Sequence, residues 1–266
     1  MSIALPAEAQ AVLRAYRDLL GVGAPGLVTG LYLYGSLALD AFSPQLSDID
    51  FVAVTSRRCT PDDIAALERV HTALLGRFPR PFMEGNYFTA EDMGRLRDAL
   101  PPLPHVVEGV FQPSGYRDIS LVNWWVLRER GVVVWGPPVA EYGYAIGWGE
   151  LLAGMYENLN SYWATYTSNP RALAWLMTDA GVEWTVLGVL RLFYTFREHD
   201  ITSKAGAGRY ALEHLPARWH GLIRYALSVR QGEPPAPYRS RLTRALETRA
   251  FVRDVIVTCN AERAAA

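Results

Sequence analysis

Gly35-Ser36, Asp48-Ile49-Asp50 and Glu84 are the positions in this chain whose types and spacing can do chemistry. In an extended strand, alternation sets Asp48 and Asp50 on one face and Ile49 and Phe51 on the other. Two carboxylates held side by side repel, and a strand gains nothing by pairing them. A divalent cation resolves the conflict. Hard oxygen donors of this kind suit magnesium, which is held by a few carboxylates together with phosphate oxygens. Glu84 lies in a stretch over residues 80–88 that reads as a strand, with Glu84 between Phe82 and Asn86 on one face. If that strand lies beside the Asp48/Asp50 strand, three carboxylates converge and can hold two ions about 4 Å apart. One ion would polarise an α-phosphate and the other would acidify an attacking hydroxyl, whose proton Glu84 can accept. Gly35 lets the backbone approach an anion closely, and the Ser36 hydroxyl and following amides can donate to phosphate oxygens. Phosphoryl chemistry needs little more than such positioning and charge neutralisation. Taken singly, a glycine–serine turn or an Asp-x-Asp is common in surface loops, and Glu84 could be a solvent-facing residue of an edge strand. Here the acidic pair closely follows the turn and opens an apolar strand.

The elements that must carry these residues are legible from pattern. Apolar positions at helical spacing (Ala11, Val12, Leu13, Tyr16, Leu19, Leu20) predict a helix over 7–20, broken by the Gly/Pro-rich stretch 21–26. Leu31 to Tyr34 reads as a buried strand ending in the Gly35-Ser36 turn, and Ile49 to Val54 as a second strand. Thr60-Pro61-Asp62-Asp63 has the hydroxyl, proline and carboxylate of a helix start, and that helix should run to about Arg77. Thr89 with Asp92 repeats the pattern. A further helix is expected over 119–130 and a short apolar strand at Val132–Trp135. From about 149 the pattern is helical to the end, with helices over 149–167, 170–179, 182–199, 205–214, 216–231 and 239–261. The reading is therefore an α+β fold: a mixed-sheet domain over 1–145, followed by an all-α helical bundle domain over 146–266.

Composition removes several alternatives. The 266 residues are 50% hydrophobic and 20% charged with a net charge of −1, so no global field recommends nucleic acid or a membrane surface. The two cysteines, Cys59 and Cys259, make neither a disulfide framework nor a zinc site. No signal peptide and no uncharged apolar run of about 18 residues is read, so a cytoplasmic location without a membrane span is expected. The five histidines show no HExxH spacing, and Walker and GxSxG motifs are missing. His199-Asp200 reads as a helix terminus and Arg57-Arg58 as solvated loop charge.

Leu33-Tyr34-Gly35-Ser36, eleven intervening residues, then Asp48-Ile49-Asp50-Phe51 resembles the signature of the polymerase-β-like nucleotidyltransferase superfamily. The chain is similar over most of its length to the aminoglycoside 3''/9-adenylyltransferase family. In the second half the similarity rests on Arg130-Gly131-Val132 running into Trp135-Gly136-Pro137, on Val186-Leu187 with Leu190-Arg191, on Lys204, and on Ala211 to Ala217. The resemblance implies a polymerase-β-like nucleotidyltransferase domain and a helical domain with the active site in a cleft between them. It implies Asp48 and Asp50 as magnesium ligands, Glu84 as metal-contacting base, Ser36 and Ser47 on the triphosphate, and Arg191 and Lys204 on ATP phosphates. Two cations reaching across a cleft would close it only around the nucleotide.

The expected reaction is magnesium-dependent transfer of AMP from ATP to a hydroxyl of an aminoglycoside or aminocyclitol antibiotic of the streptomycin or spectinomycin kind, releasing pyrophosphate. The acidic-aromatic drug-binding segment expected near mid-chain is replaced by His105-Val106-Val107-Glu108-Gly109-Val110-Phe111. Asp179 and Glu183 stand where a drug-binding acid is expected, and Trp175, Trp184 and Tyr156 are candidates to line a pocket. Aromatics at helical spacing are more often core. A monomer is favoured. Two rivals are a toxin-like enzyme modifying a protein or tRNA hydroxyl, and a non-catalytic nucleotide-binding module.

Overall fold

A computed structural model describes residues 5–265 and divides the chain into two compact units, Met1–Ile146 and Gly147–Ala266. In the first unit α1 (Ala7–Gly23) leads into β1 (Val28–Leu33), the four-residue helix α2 (Gly35–Ala38), β2 (Ile49–Thr55), α3 (Pro61–Arg77) and β3 (Met83–Thr89). Then come β4 (Leu103–Val107), β5 (Val110–Gly115), α4 (Leu121–Arg130) and β6 (Val132–Trp135). The strands form one six-stranded sheet in the order β5-β4-β3-β2-β1-β6, in which β2 and β3 are parallel and every other neighbouring pair is antiparallel. A parallel pair needs a crossover, and α3 supplies it.

Alternation sorts the two faces. Leu31, Leu33, Ile49, Phe51, Ala53, Met83 and Tyr87 point into a core shared with Val12, Leu13, Tyr16 and Leu20 of α1 and Leu67, Val70 and Leu74 of α3. Asp50 and Glu84, one residue out of phase with that set, therefore face the other side. α3 begins as its sequence dictates: Thr60 and Asp63 form a reciprocal capping box with Pro61 at the first helical position.

The sequence pattern missed the β4–β5 hairpin. Its signal is the two-residue turn Glu108-Gly109, both with positive φ (50° and 79°), between His105-Val106-Val107 and Val110-Phe111. Such a turn matches the twist of its strands and favours glycine. Strand β3 starts at Met83 rather than Arg80. Thr89 and Asp92 close a capping box on a single 3₁₀ turn, Ala90–Asp92. Arg58 is not merely solvated: its guanidinium pairs with Asp92, whose side chain is fully buried.

The second unit is helical throughout: α5 (Trp148–Asn158), a π turn (Leu159–Trp163), α6 (Ala164–Ser168), α7 (Pro170–Leu176), α8 (Asp179–Glu198), α9 (Lys204–His214), α10 (His220–Gln231) and α11 (Arg241–Ala265). Helix α8 is the centre, packed against α7, α9, α10 and α11, and buries Val182, Val186, Leu187, Val189, Leu190 and Phe193. It begins three residues earlier than the pattern predicts because the Thr178 hydroxyl accepts the Gly181 amide at 2.9 Å and caps it there. The helix expected over 149–167 is interrupted by the π turn. His199 ends α8 in the left-handed conformation. Among the described residues no single helix is long and apolar enough to cross a membrane.

Candidate functional site

The acids gather where β1 ends and β2 and β3 begin. The parallel register sets Asp50 directly beside Glu84, and the Tyr34 amide donates to the Asp50 carbonyl at 3.1 Å, so the turn into α2 lies over the same point. Gly35 adopts φ 60°, and a β-carbon there would lie 1.9 Å from Asp50 Oδ2. Glycine is thus required twice, for the backbone conformation and for the approach of the carboxylate. The Ser36 amide donates to Asp50. Burial, reinforced by the charges of Asp48, Glu84 and Asp118, nevertheless pushes the Asp50 carboxyl up to about 7.

Glu84 is 5% exposed. Its Oε1 accepts from Arg117 Nε at 2.7 Å and from Nη2, and its Oε2 accepts the Glu108 amide at 3.1 Å. Asp48 is paired with Arg80 at 2.8 Å. Arg117 and Asp118 were not found from the sequence, where only a charged pair after a hairpin marks them. Their place is fixed by Asn86, whose Nδ2 donates to the Arg117 carbonyl, and by Asn123, whose Nδ2 donates to that of Asp118, both at 2.7 Å.

The remaining residues expected on phosphate differ in setting. Ser36 Oγ is buried and without a hydrogen-bond partner, a costly state that a ligand oxygen would relieve. Ser47 is buried, and its Oγ accepts the Ser43 amide at 3.0 Å. A small hollow bordered by Tyr34, Asn86, Asp118 and Trp124 on the same sheet face measures about 10 Å³, room for no more than a water.

Asp50 with its acidic neighbours Asp48, Glu84 and Asp118, and an unpartnered hydroxyl on the residue whose amide binds it, fit a divalent ion shared with phosphate. Among the described residues, no three or more His, Cys, Asp or Glu side chains are drawn around one point closely enough to hold an ion unaided. A magnesium ion that keeps phosphate and water ligands needs no such cage.

In the second unit Arg191 on α8 and Lys204 at the start of α9 belong to one charged cluster. Lys204 Nζ lies 3.2 Å from both oxygens of Glu183, and Arg230 Nη1 lies 3.8 Å from Oε1. Lys204 also sits 4.6 Å from the centre of the Trp184 ring. Burial lowers its ammonium to about 8, with Arg191 and Arg230 adding to the shift and Glu183 opposing it. Asp179 is in a different setting: it accepts from Tyr225 Oη at 2.7 Å and pairs with Arg244 at 2.9 Å. Trp175 and Trp184 are exposed, whereas Tyr156 stacks on Phe196. The two candidate drug-binding acids thus occupy separate networks, Glu183 with the cations expected on phosphate and Asp179 with Tyr225 and Arg244.

A mixed sheet with carboxylates at paired strand starts beside a Gly-Ser turn, followed by helices, makes an α+β fold with a helical second unit. The model of the C-terminal domain of the aminoglycoside adenylyltransferases matches residues 161–255. Over those residues the chain is similar to that family's C-terminal domain. Among solved structures, the spectinomycin adenyltransferase AAD(9) from Enterococcus faecialis, determined with ATP and spectinomycin, shares the fold. It covers 93% of this chain and 98% of its own with a TM-score of 0.66 at 13% identity. Comparison with curated proteins found no match.

Proposed function

We propose that the enzyme transfers AMP from magnesium-bound ATP to a hydroxyl of an aminoglycoside or aminocyclitol, with Asp48, Asp50 and Glu84 at its centre. The observation that supports this most is the register of Asp50 beside Glu84 under the Gly35-Ser36 turn. Divalent ions held by these acids would neutralise the triphosphate and acidify the acceptor hydroxyl. The chain's own groups do the rest. The Ser36 hydroxyl donates to a phosphate oxygen, and the Ser47 hydroxyl can do so as well, since its bond from the Ser43 amide uses only a lone pair. Glu84, whose oxygens are already aligned by Arg117 and the Glu108 amide, receives the hydroxyl proton. Pyrophosphate leaves as the acceptor oxygen bonds to the α-phosphorus.

In the second unit Arg191 and Lys204 supply donors to phosphate oxygens. For the acceptor, Trp175 offers an exposed ring to a sugar face, and Asp179 and Glu183 offer charge to its ammonium groups. ATP is the expected nucleotide and the cytoplasm the expected location.

The test is direct. Incubation with Mg-ATP and spectinomycin or streptomycin should yield adenylylated drug and pyrophosphate, and Asp50→Asn should yield neither while keeping the far-UV spectrum. Turnover by Asp50→Asn equal to wild type would overturn the assignment of the site. Product with neither drug, across a wide aminoglycoside panel, would remove the acceptor and leave the fold.

A further inference from the structure

Two guanidinium groups stand among Asp50 and its three acidic neighbours. Arg80 pairs with Asp48, and Arg117 pairs with Glu84 while lying 3.3 Å from Asp118. Arg117 is the more constrained of the two. Its carbonyl is held by Asn86 and the next by Asn123, and Asp118 beside it takes φ 44°, so the backbone that carries the guanidinium is fixed. The side chain, 35% exposed, has water on one side and can leave its partner. Glu84, at 7%, has no such freedom, since the Glu108 amide fixes its other oxygen. Of the two partners, Arg117 is the one that can move.

We propose that Arg117 is a positioning residue that occupies Glu84 as a stand-in cation. It neutralises the carboxylate and keeps it aligned with Asp50 while no divalent ion is bound, and it yields one oxygen when an ion arrives. Because the Glu108 amide stays on the other oxygen, the carboxylate keeps its aim during the exchange. The divalent ion therefore competes with a charge the chain itself supplies, and Arg117 sets the concentration at which the site fills. This rests on the acids being the metal site proposed above.

The experiment is a Mn²⁺ titration of the full chain without nucleotide, followed by electron paramagnetic resonance, for wild type, Arg117→Gln, Arg117→Lys and Asp50→Asn. Removing a competing charge from a half-exposed pair should tighten Mn²⁺ binding about fivefold to tenfold in Arg117→Gln. Arg117→Lys, which keeps charge but not the two-point grip, should tighten it about twofold. A purely structural Arg117 would instead loosen Mn²⁺ binding and lower Tm in both variants. Unchanged or weaker binding in a folded Arg117→Gln overturns the proposal, and if that variant does not fold, the same result in Arg117→Lys does so. Mn²⁺ binding that depends on Asp50 but ignores Arg117 overturns this inference alone. No binding by wild type, or equal binding by Asp50→Asn, overturns the metal site as well.

Discussion

Gly35→Ala isolates the contact on which the site depends. The new methyl would lie 1.9 Å from Asp50 Oδ2, so the carboxylate must retreat by about 1.5 Å to reach the 3.4 Å of ordinary contact. That displacement breaks the donation from the Ser36 amide to Asp50. The substitution also carries the left-handed backbone cost of a residue with a β-carbon, about 1–2 kcal/mol. Gly26→Ala provides the reference: its φ of 72° imposes the same backbone cost, but nothing lies within 4 Å of its β-carbon. The difference between the two variants reads the Asp50 contact alone. Loss of a hydrogen bond to a charged acceptor and an off-rotamer carboxylate together predict about 2 kcal/mol more destabilisation for Gly35→Ala. A misplacement of this size should cost roughly a hundredfold in turnover. Urea unfolding followed by circular dichroism gives the first quantity and pyrophosphate release the second. If Gly35→Ala matches Gly26→Ala in both, the close approach of glycine to Asp50 is not what organises the site.

Three further outcomes are expected. His71, 1% exposed and bonded to Tyr87 Oη at 2.6 Å, is lowered by burial from 6.5 to about 3. The unfolded chain takes up that proton first, so its contribution is complete above pH 6.5 and lost as pH falls toward 3. The loss is at most about 5 kcal/mol at about 1.4 kcal/mol per unit, and His71→Leu should flatten this part of a pH-dependent unfolding curve. Arg58→Ala strands the fully buried Asp92 carboxylate and should cost about 2 kcal/mol in thermal unfolding, partly restored by adding Asp92→Asn. With the Lys204 ammonium lowered to about 8, KM for ATP should rise as pH climbs from 7 to about 9 and the charge is lost. Lys204→Arg should remove that rise, and a flat KM in wild type would take Lys204 off the nucleotide.

What the sequence made legible was whatever depends on neighbours in the chain. The Thr60/Asp63 capping box, the alternation that turns Asp50 away from Ile49 and Phe51, and the helical repeat from 149 onward are local patterns, and each is realised. The pairing of the Asp50 and Glu84 strands was inferred and is found in parallel register. The β4–β5 hairpin escaped because Pro104, His105, Gln112 and Pro113 dilute its alternation, leaving only Glu108-Gly109 as a signal. Arg117 and Asp118 escaped for another reason. The role of Arg117 comes from partners more than thirty residues away, Glu84 and Asn86, which no periodicity encodes, and Asp118 is placed beside it. In the same way Glu183 read as a candidate drug-binding acid, and only the packing of α8 against α9 shows that it already holds Lys204.

The tight turn at the outermost rim of the sheet ties that rim to its centre. Because the Glu108 amide ends on Glu84, the tip joining β4 to β5 is a strut rather than a spare loop. Lengthening it by a few residues, grafting a tag there or cutting the chain at Glu108 would leave the strands paired yet unhook the carboxylate. A site that looks peripheral and permissive is therefore one of the least tolerant places to engineer this chain.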